Sequence, residues 1–196
     1  MKNPTKVKIK NKIYPINSDF RVAIECNEIS QDESIGDYER ALAILYKLFG
    51  KEALKDTENH EELLKKAIKF LSCGMKVDNN AKQDIDMDFK QDEGLIKSSF
   101  KFDYQYDPYA LEYLHWWDFY NDLANLSNSE LGDCCVLSRV RNLRNYDTSK
   151  IKDPKEKRKI EDAKKQFALK KNIKIQKLTD KEIQNIEEFK QLAGLN

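Results

Sequence analysis

Seven aspartates lie between residues 76 and 107, and closely spaced carboxylates are the ligands that calcium prefers. Asp84, Asp86 and Asp88 match positions 1, 3 and 5 of an EF-hand loop. Position 6 of that loop should be glycine and position 12 glutamate, but Phe89 and Leu95 stand there. The run therefore predicts a solvated acidic loop and not a calcium site.

Cysteine and histidine are the other side chains that could bind a metal. A zinc site needs four converging thiolates or imidazoles, usually in close pairs. No CxxC pair occurs, and neither histidine has a cysteine at a ligand spacing, so we predict no metal and no cofactor. The absence of a disulfide pattern also predicts a reducing compartment. The residues concerned are Cys26, Cys73, Cys134, Cys135, His60 and His115.

Nucleophilic catalysis would need a cysteine or serine with a base beside it. His115 could serve a cysteine only if the tertiary fold brought the two together, because nothing in its local sequence marks a base. The chain has no GxSxG, P-loop or GxGxxG motif. We therefore predict no catalytic residues, and an enzyme with a site assembled by the tertiary fold is the weakest alternative.

The charges of the chain are dense but balanced, at 35 basic and 34 acidic residues. A whole-molecule field that gathers nucleic acid is not expected from this balance. Residues 151–196 hold 13 basic and 8 acidic residues, interleaved along the sequence. The interleaved charges predict that this segment is a solvated or partner-binding helix, with nucleic-acid binding as the alternative. No apolar run approaches the roughly 20 residues that cross a bilayer, so we predict a cytoplasmic protein with no membrane partner.

The elements that position these residues are predicted to be mainly α-helical. Glycine and proline are scarce, at 6 and 4, and apolar residues recur at three- and four-residue spacing. A short alternating stretch from Val7 to Ile16, with a turn at Asn11 and Lys12, predicts a small N-terminal β-hairpin. Helices are predicted after Asn17 and Ser18, over Tyr38 to Phe49, from Thr57 to Gly74, from Pro108 to Leu126, and after the capping-box pairs Ser127/Glu130 and Thr179/Glu182.

This pattern divides the chain into two helical halves joined by an acidic linker. The predicted units are the hairpin plus helical domain (1–75), the linker (76–107) with room for a short helix, an aromatic helical hairpin (108–145) and a charged helical segment (146–196).

The aromatic helix holds the most unusual stretch of the sequence. Large aromatic residues dominate both protein cores and interface anchors, so the stretch has two interpretations. Because adjacent helical positions are turned about 100° apart, we expect one tryptophan in the core and one at an interface. The candidate partner-binding residues are Tyr113, His115, Trp116, Trp117 and Tyr120.

Two stretches together resemble a family of small proteins from long-tailed phages and prophages. The first runs from Tyr14 to Arg21 (YPINSDFR), where the hairpin leads into the first helix. The second runs from Leu114 to Phe119 (LHWWDF) and is followed by a helix with Arg139, Arg141 and Arg144. The resemblance spans about residues 7–170, and the His-Trp-Trp motif is its distinctive part. The family is encoded just before the tape-measure protein, where tail assembly chaperones are found.

The resemblance implies a chaperone in the cytoplasm of the bacterial host. A tape-measure protein is a very long helical chain with apolar stripes, and large exposed apolar patches tend to aggregate. A small helical protein could cover those stripes until tail-tube subunits displace it, with many copies on each client. The implied partner is the tape-measure protein or another tail protein, with self-association possible. The alternative is a nucleic-acid-associated phage protein that uses its basic C-terminal segment.

Overall fold

A computed structural model describes residues 3–75, 86–128 and 134–170. It confirms the predicted fold class, since these residues are mostly helical and begin with a two-stranded antiparallel hairpin. The described strands are β1 (Lys6–Ile9) and β2 (Lys12–Pro15). The described helices are α1 (Phe20–Ser30), α2 (Asp37–Phe49), α3 (Lys51–Lys55), α4 (His60–Leu71), α5 (Glu93–Tyr104), α6 (Trp116–Ala124), α7 (Val136–Asn145) and α8 (Pro154–Gln166). Single 3-10 turns lie at Thr57–Asn59, Pro108–Ala110 and Thr148–Lys150.

The hairpin turns one residue earlier than the alternation predicted. Lys10 takes a left-handed φ of 51°, which closes a two-residue turn and pairs Ile9 with Lys12. One face of the hairpin, with Ile9 and Tyr14, is buried against the helices. Asp56 fastens the hairpin to the α3–α4 connection by accepting hydrogen bonds from Lys12 Nζ (2.7 Å), from the Tyr14 hydroxyl and from the Asn59 amide. These bonds, the one from Lys12 above all, hold the pKa of Asp56 below its usual range.

Local residues explain where α1 begins, where α2 ends and how α4 is bounded. Asp19 caps α1 by accepting a hydrogen bond from the Arg21 amide at 2.9 Å, one or two residues after the predicted caps. Gly50 ends α2 at a φ of 76°, a left-handed conformation that glycine adopts at little cost, as the sequence predicted. The third predicted helix begins with the 3-10 turn and continues as α4, whose regular part ends at Leu71.

A single apolar core joins the two halves that the sequence predicted. Phe20 of α1 stacks on Phe119 of α6 with ring centroids 4.3 Å apart, and Phe119 stacks on Phe100 of α5 at 5.4 Å. All three side chains are fully buried. The hairpin and α1 to α7 each contribute residues to this core. The hairpin and helices before residue 75 therefore share a core with the helices after residue 86.

The second half of the predicted linker, residues 76–107, is a packed helix rather than a solvated connection. Residues 93–104 form α5, whose buried residues Ile96, Ser99 and Phe100 face the core. The five described aspartates of the stretch accept hydrogen bonds from the protein and do not form a solvated acidic loop. Asp86 binds Arg141 and Asn145, Asp88 binds the amides of Lys90 and Gln91, Asp92 binds Arg144, Asp103 binds Ser127, and Asp107 binds the Tyr109 amide. Asp78 and Asp84 lie outside the described residues.

The predicted helix from Pro108 to Leu126 is also wrong at its start. After one 3-10 turn the chain runs in extended conformation, and α6 begins only at Trp116. The next helix, α7, begins at Val136; its N-cap residue Cys135 makes no side-chain cap, and the Leu137 amide donates to the Ser99 hydroxyl at 3.0 Å. Ser127, the predicted cap, instead donates its amide and hydroxyl to Asp103. Its predicted partner Glu130 and the Thr179/Glu182 pair lie outside the described residues.

The charged C-terminal segment is attached to the body at the end of α7. Helix α8 has no buried residue, but the Arg144 side chain reaches its end by donating from Nε to the Phe167 carbonyl at 2.7 Å. The same guanidinium forms a two-armed ion pair with Asp92, with N–O distances of 2.7 and 2.8 Å. A fourth bond joins it to the Asp86 carbonyl at 2.7 Å. Arg144 thus ties α7, the residues before α5 and the end of α8 together.

Candidate functional site

The two stretches that carry the resemblance meet in the structure. Asp19 and His115 form an isolated antiparallel β-bridge, and each is the N-cap of its helix. The first amide of α1, on Phe20, donates to the Leu114 carbonyl at 2.9 Å. The first amide of α6, on Trp116, donates to the Ser18 carbonyl at 2.8 Å. The residue before each N-cap therefore provides a carbonyl for an unpaired amide at the start of the other helix. We call this meeting point the helix-start junction.

His115 acts as a structural cap within the junction. Its Nδ1 accepts a hydrogen bond from the Trp117 amide at 3.0 Å, in the role that serine or aspartate usually plays at an N-cap. Its Nε2 lies 3.1 Å from the Pro4 carbonyl, which can only accept. The two bonds together require the neutral tautomer with the proton on Nε2. Both ring nitrogens are thus bound to backbone groups, and the ring is buried.

The tryptophan pair binds the C-terminal end of α4. The Trp116 Nε1 donates to the Leu71 carbonyl at 3.0 Å, and the Trp117 Nε1 donates to the Phe70 carbonyl at 2.9 Å. These two carbonyls belong to the last turn of α4, where main-chain acceptors have no partner within the helix. The adjacent indoles therefore join the start of α6 to the end of α4.

Arg21 holds the extended segment that leads into α6. Its guanidinium pairs with Asp19 and donates to the carbonyls of Tyr109 (3.2 Å) and Leu111 (2.6 Å). The Ser18 hydroxyl lies 2.7 Å from the Tyr113 hydroxyl on the same segment. The sequence predicted the end of the hairpin and a helix cap within residues 14–21, but no local pattern indicated that they bind the segment before the His-Trp-Trp motif.

The five predicted partner-binding residues occupy three different environments. His115 and Trp116 are buried in the core, while Trp117 and Tyr120 are partly buried at its border. Tyr113 is 52% exposed. The Trp117 ring covers Gly74, where an added Cβ would lie 3.5 Å from the ring edge. Binding of a partner by these residues stays a prediction, and the side chains that present surface for it are Tyr113, Trp117 and Tyr120.

Replacing His115 by alanine should lower the free energy of unfolding by about 0.5–2 kcal/mol, the usual effect of removing an N-cap. The reason is that the Trp117 amide and the Pro4 carbonyl both lose their partner. His115→Asn is the matched control and should lose less, because its side-chain oxygen can accept from the Trp117 amide. Urea denaturation followed by circular dichroism measures both variants. Equal losses for alanine and asparagine would contradict the capping role.

Two described cysteines are poor nucleophiles in their surroundings. Burial raises the pKa of Cys26 to about 12 and that of Cys73 to about 11, so both thiols stay protonated at neutral pH. Among the residues in the described ranges, no group of three or more histidine, cysteine, aspartate or glutamate side chains is arranged to hold a metal ion. No described helix is long and apolar enough to cross a membrane.

The fold and the junction define a helical protein in which an aromatic motif joins three helices to one another. The chain belongs to the bacteriophage Gp15 protein family, whose model matches residues 2–169. The resemblance read from the sequence is confirmed as far as a bacteriophage protein family. No curated protein and no solved structure matches the chain.

Proposed function

We propose that this protein is a tail assembly chaperone that binds the tape-measure protein and keeps it soluble during tail assembly. Membership of a bacteriophage protein family supports a role in the phage life cycle. The observation that carries the chaperone proposal is a set of apolar side chains around the helix-start junction. These side chains are exposed or only partly buried, whereas their neighbours lie in the core. We call this set the junction surface: Met75, Leu111, Tyr113, Trp117 and Tyr120.

The junction surface is suited to hold an amphipathic helix. Tyr113 and Leu111 are exposed on the segment before α6, and Met75 is exposed next to Gly74, which the Trp117 ring covers. Tyrosine, tryptophan and methionine are enriched at protein interfaces, because they supply large contact areas that adapt to a partner. The backbone beneath them is held by the reciprocal helix-start bonds, so a client would meet a preformed surface.

The proposed function predicts that co-expression with the tape-measure protein of the same phage raises the soluble yield of that client and that the two proteins co-purify. Tyr113→Ala should weaken client binding by about 2 kcal/mol or more if Tyr113 is an anchor. Tyr113→Phe should bind almost normally, because it loses only the hydroxyl contact with Ser18. Affinity is measured by calorimetry with a soluble fragment of the client.

Tyr146→Ala is the matched control for this experiment. Tyr146 is similarly exposed but lies at the end of α7, away from the junction surface. Both alanine variants should keep the wild-type melting temperature, since neither side chain is buried. An unchanged client yield with and without the wild-type protein would reject the chaperone proposal. Equal binding by Tyr113→Ala and the wild type would reject the junction surface as the contact.

Nucleic-acid binding through the charged C-terminal segment is the competing outcome. The described part of this segment carries basic residues on α8, but acidic neighbours lie within ion-pair distance of them. Asp162 lies 3.3 Å from Lys165 and 4.0 Å from Arg158, and Glu161 lies 4.0 Å from Lys157. These pairs neutralise three of the six basic side chains of α8, which favours a solvated helix over one that follows phosphates. Salt-dependent DNA binding without client binding would favour nucleic-acid binding over the chaperone function.

A further inference from the structure

The outer face of the β-hairpin carries unpaired positive charge around an exposed apolar side chain. Lys6, Lys8 and Lys10 are exposed, and among the residues that the structure describes they make no ion pair. Ile13, opposite Lys8 in the hairpin register, is 60% exposed. Lysines alone are a common protection of sheet edges, but that protection does not require a large apolar side chain at their centre. The combination fits a partner that is acidic and has an apolar contact of its own.

The connection from α1 to α2 presents the complementary surface. Glu33 is exposed without a partner in the described ranges, and the Asp37 side chain is 95% exposed although it pairs with Arg40. Tyr38, beside Asp37, is 58% exposed. We call Glu33, Asp37 and Tyr38 the acidic corner. It offers negative charge next to an exposed aromatic ring, the reverse of the hairpin face.

Helix α2 separates the two surfaces. The acidic corner lies at its N-terminus, and the hairpin adjoins its C-terminus, where the Asn17 amide donates to the Leu48 carbonyl at 2.8 Å. Thirteen residues of α-helix place its ends about 18 Å apart. The two surfaces therefore lie near opposite ends of one rigid element, where they are accessible to different neighbours.

We propose that the hairpin face of one copy of this chain docks on the acidic corner of a second copy. Contact between two hairpins would bring lysines together, and contact between two corners would bring carboxylates together, so like surfaces repel. Only the unlike pairing brings opposite charges together. Such a contact either closes as a two-fold dimer, in which each hairpin meets the other copy's corner, or repeats head to tail as a ring or an open row.

Each contact is weak, because a two-stranded hairpin face covers little area compared with the roughly 800 Å² per partner of a stable interface. Assembly should therefore depend on protein concentration and on salt. Sedimentation velocity measures the average mass as the concentration rises, at about 0.05 M and at about 0.5 M salt. We expect the mass to rise above the 23.0 kDa of one chain at low salt and to return towards it at high salt.

Charge reversal at either surface tests the pairing. Lys8→Glu and Glu33→Lys should each return the chain to a monomer under conditions where the wild type assembles. Mixing the two variants should restore association, because the hairpin of Glu33→Lys and the corner of Lys8→Glu are both unaltered. A contact between two like surfaces, hairpin to hairpin or corner to corner, would not be restored in this way. Matched controls are Lys159→Glu and Glu156→Lys, both exposed on α8 and outside the two surfaces.

Three results would overturn the proposal. One is a wild-type chain that stays at 23.0 kDa at every concentration. Another is assembly that survives both charge reversals, or that the control variants abolish equally. The third is a wild-type chain that gains mass only when DNA is added, which would assign the hairpin lysines to phosphate contacts. Circular dichroism of each variant ensures that a loss of assembly is not a loss of fold.

Discussion

Replacing Arg144 by alanine should lower the free energy of unfolding by about 3–5 kcal/mol, because it leaves the buried Asp92 carboxylate without its counter-charge. The side chains of Arg144 and Asp92 are only 11% and 2% exposed. Little water reaches the Asp92 carboxylate, so solvation does not compensate for the lost ion pair. The same substitution removes the donors to the carbonyls of Asp86 and Phe167, so the residues before α5 and the end of α8 lose their attachment.

Arg141 provides the matched control for this prediction. It lies on the same helix and also pairs with an aspartate, Asp86, at 3.1 Å, but its side chain is 41% exposed. An exposed pair of this kind contributes about 0–1 kcal/mol, so Arg141→Ala should have a small effect. Urea denaturation of both variants, followed by circular dichroism, makes the comparison. Equal losses for Arg141→Ala and Arg144→Ala would show that burial does not determine the effect.

A double variant separates the energy of the pair from the cost of an unpaired charge. Replacing both partners, as in Arg144→Met with Asp92→Leu, removes the buried charge altogether and should recover part of the stability lost in Arg144→Ala. Recovery should be incomplete, because a methionine side chain cannot donate to the two carbonyls that Arg144 binds. A double variant less stable than Arg144→Ala would contradict this account.

The helices of the first half were predictable because their signals are local. Repeated apolar spacing and a glycine that stops the run are enough to place α2, and alternation with a short turn places the hairpin within one residue. These patterns depend on residues only a few positions apart, so no knowledge of the tertiary fold is needed.

The acidic stretch was misinterpreted because carboxylates look alike in a sequence. Asp88, which binds nearby amides, and Asp92, which is buried against Arg144, differ only in what the fold brings to them. The partner of Asp92 lies 52 residues away. The sequence allowed a short helix in this stretch, and the spacing of Ile96 and Phe100 is the local signal for α5.

The start of α6 could not be predicted for a related reason. A run of aromatic residues from Tyr109 to Tyr120 fits a continuous helix by periodicity alone. The extended conformation at His115 is stabilised by the bridge to Asp19 and by the bond to the Pro4 carbonyl, 111 residues away. Histidine is also an unusual N-cap, so local rules did not mark it. Which residues belong to the core and which to the junction surface followed only from these distant contacts.

Trp116→Ala should lower the free energy of unfolding by about 3–5 kcal/mol, because it removes a large buried side chain and leaves a cavity in the aromatic core. The Trp116 ring contacts Phe119 and Phe89, with ring centroids 6.0 Å away in each case. Loss of the indole also removes the hydrogen bond to the Leu71 carbonyl. Trp116→Phe separates these effects, since it keeps most of the apolar ring and should cost about 1–3 kcal/mol through the unpaired carbonyl.

Trp117 provides the comparison within the same motif. Its ring is partly buried, and one side of it covers Gly74, so Trp117→Ala should cost less stability than Trp116→Ala. Because both indoles bind the last turn of α4, the double variant should not show the sum of the two losses. If Trp117 is also an interface anchor, its alanine variant should stay folded and lose affinity for the tape-measure fragment, whereas Trp116→Ala should lose affinity only as it unfolds. Far-UV circular dichroism with urea, alongside calorimetric binding, measures the two properties separately. A Trp116→Ala variant as stable as the wild type would contradict the assignment of Trp116 to the core. An unfolded Trp117→Ala variant would show that both tryptophans belong to the core.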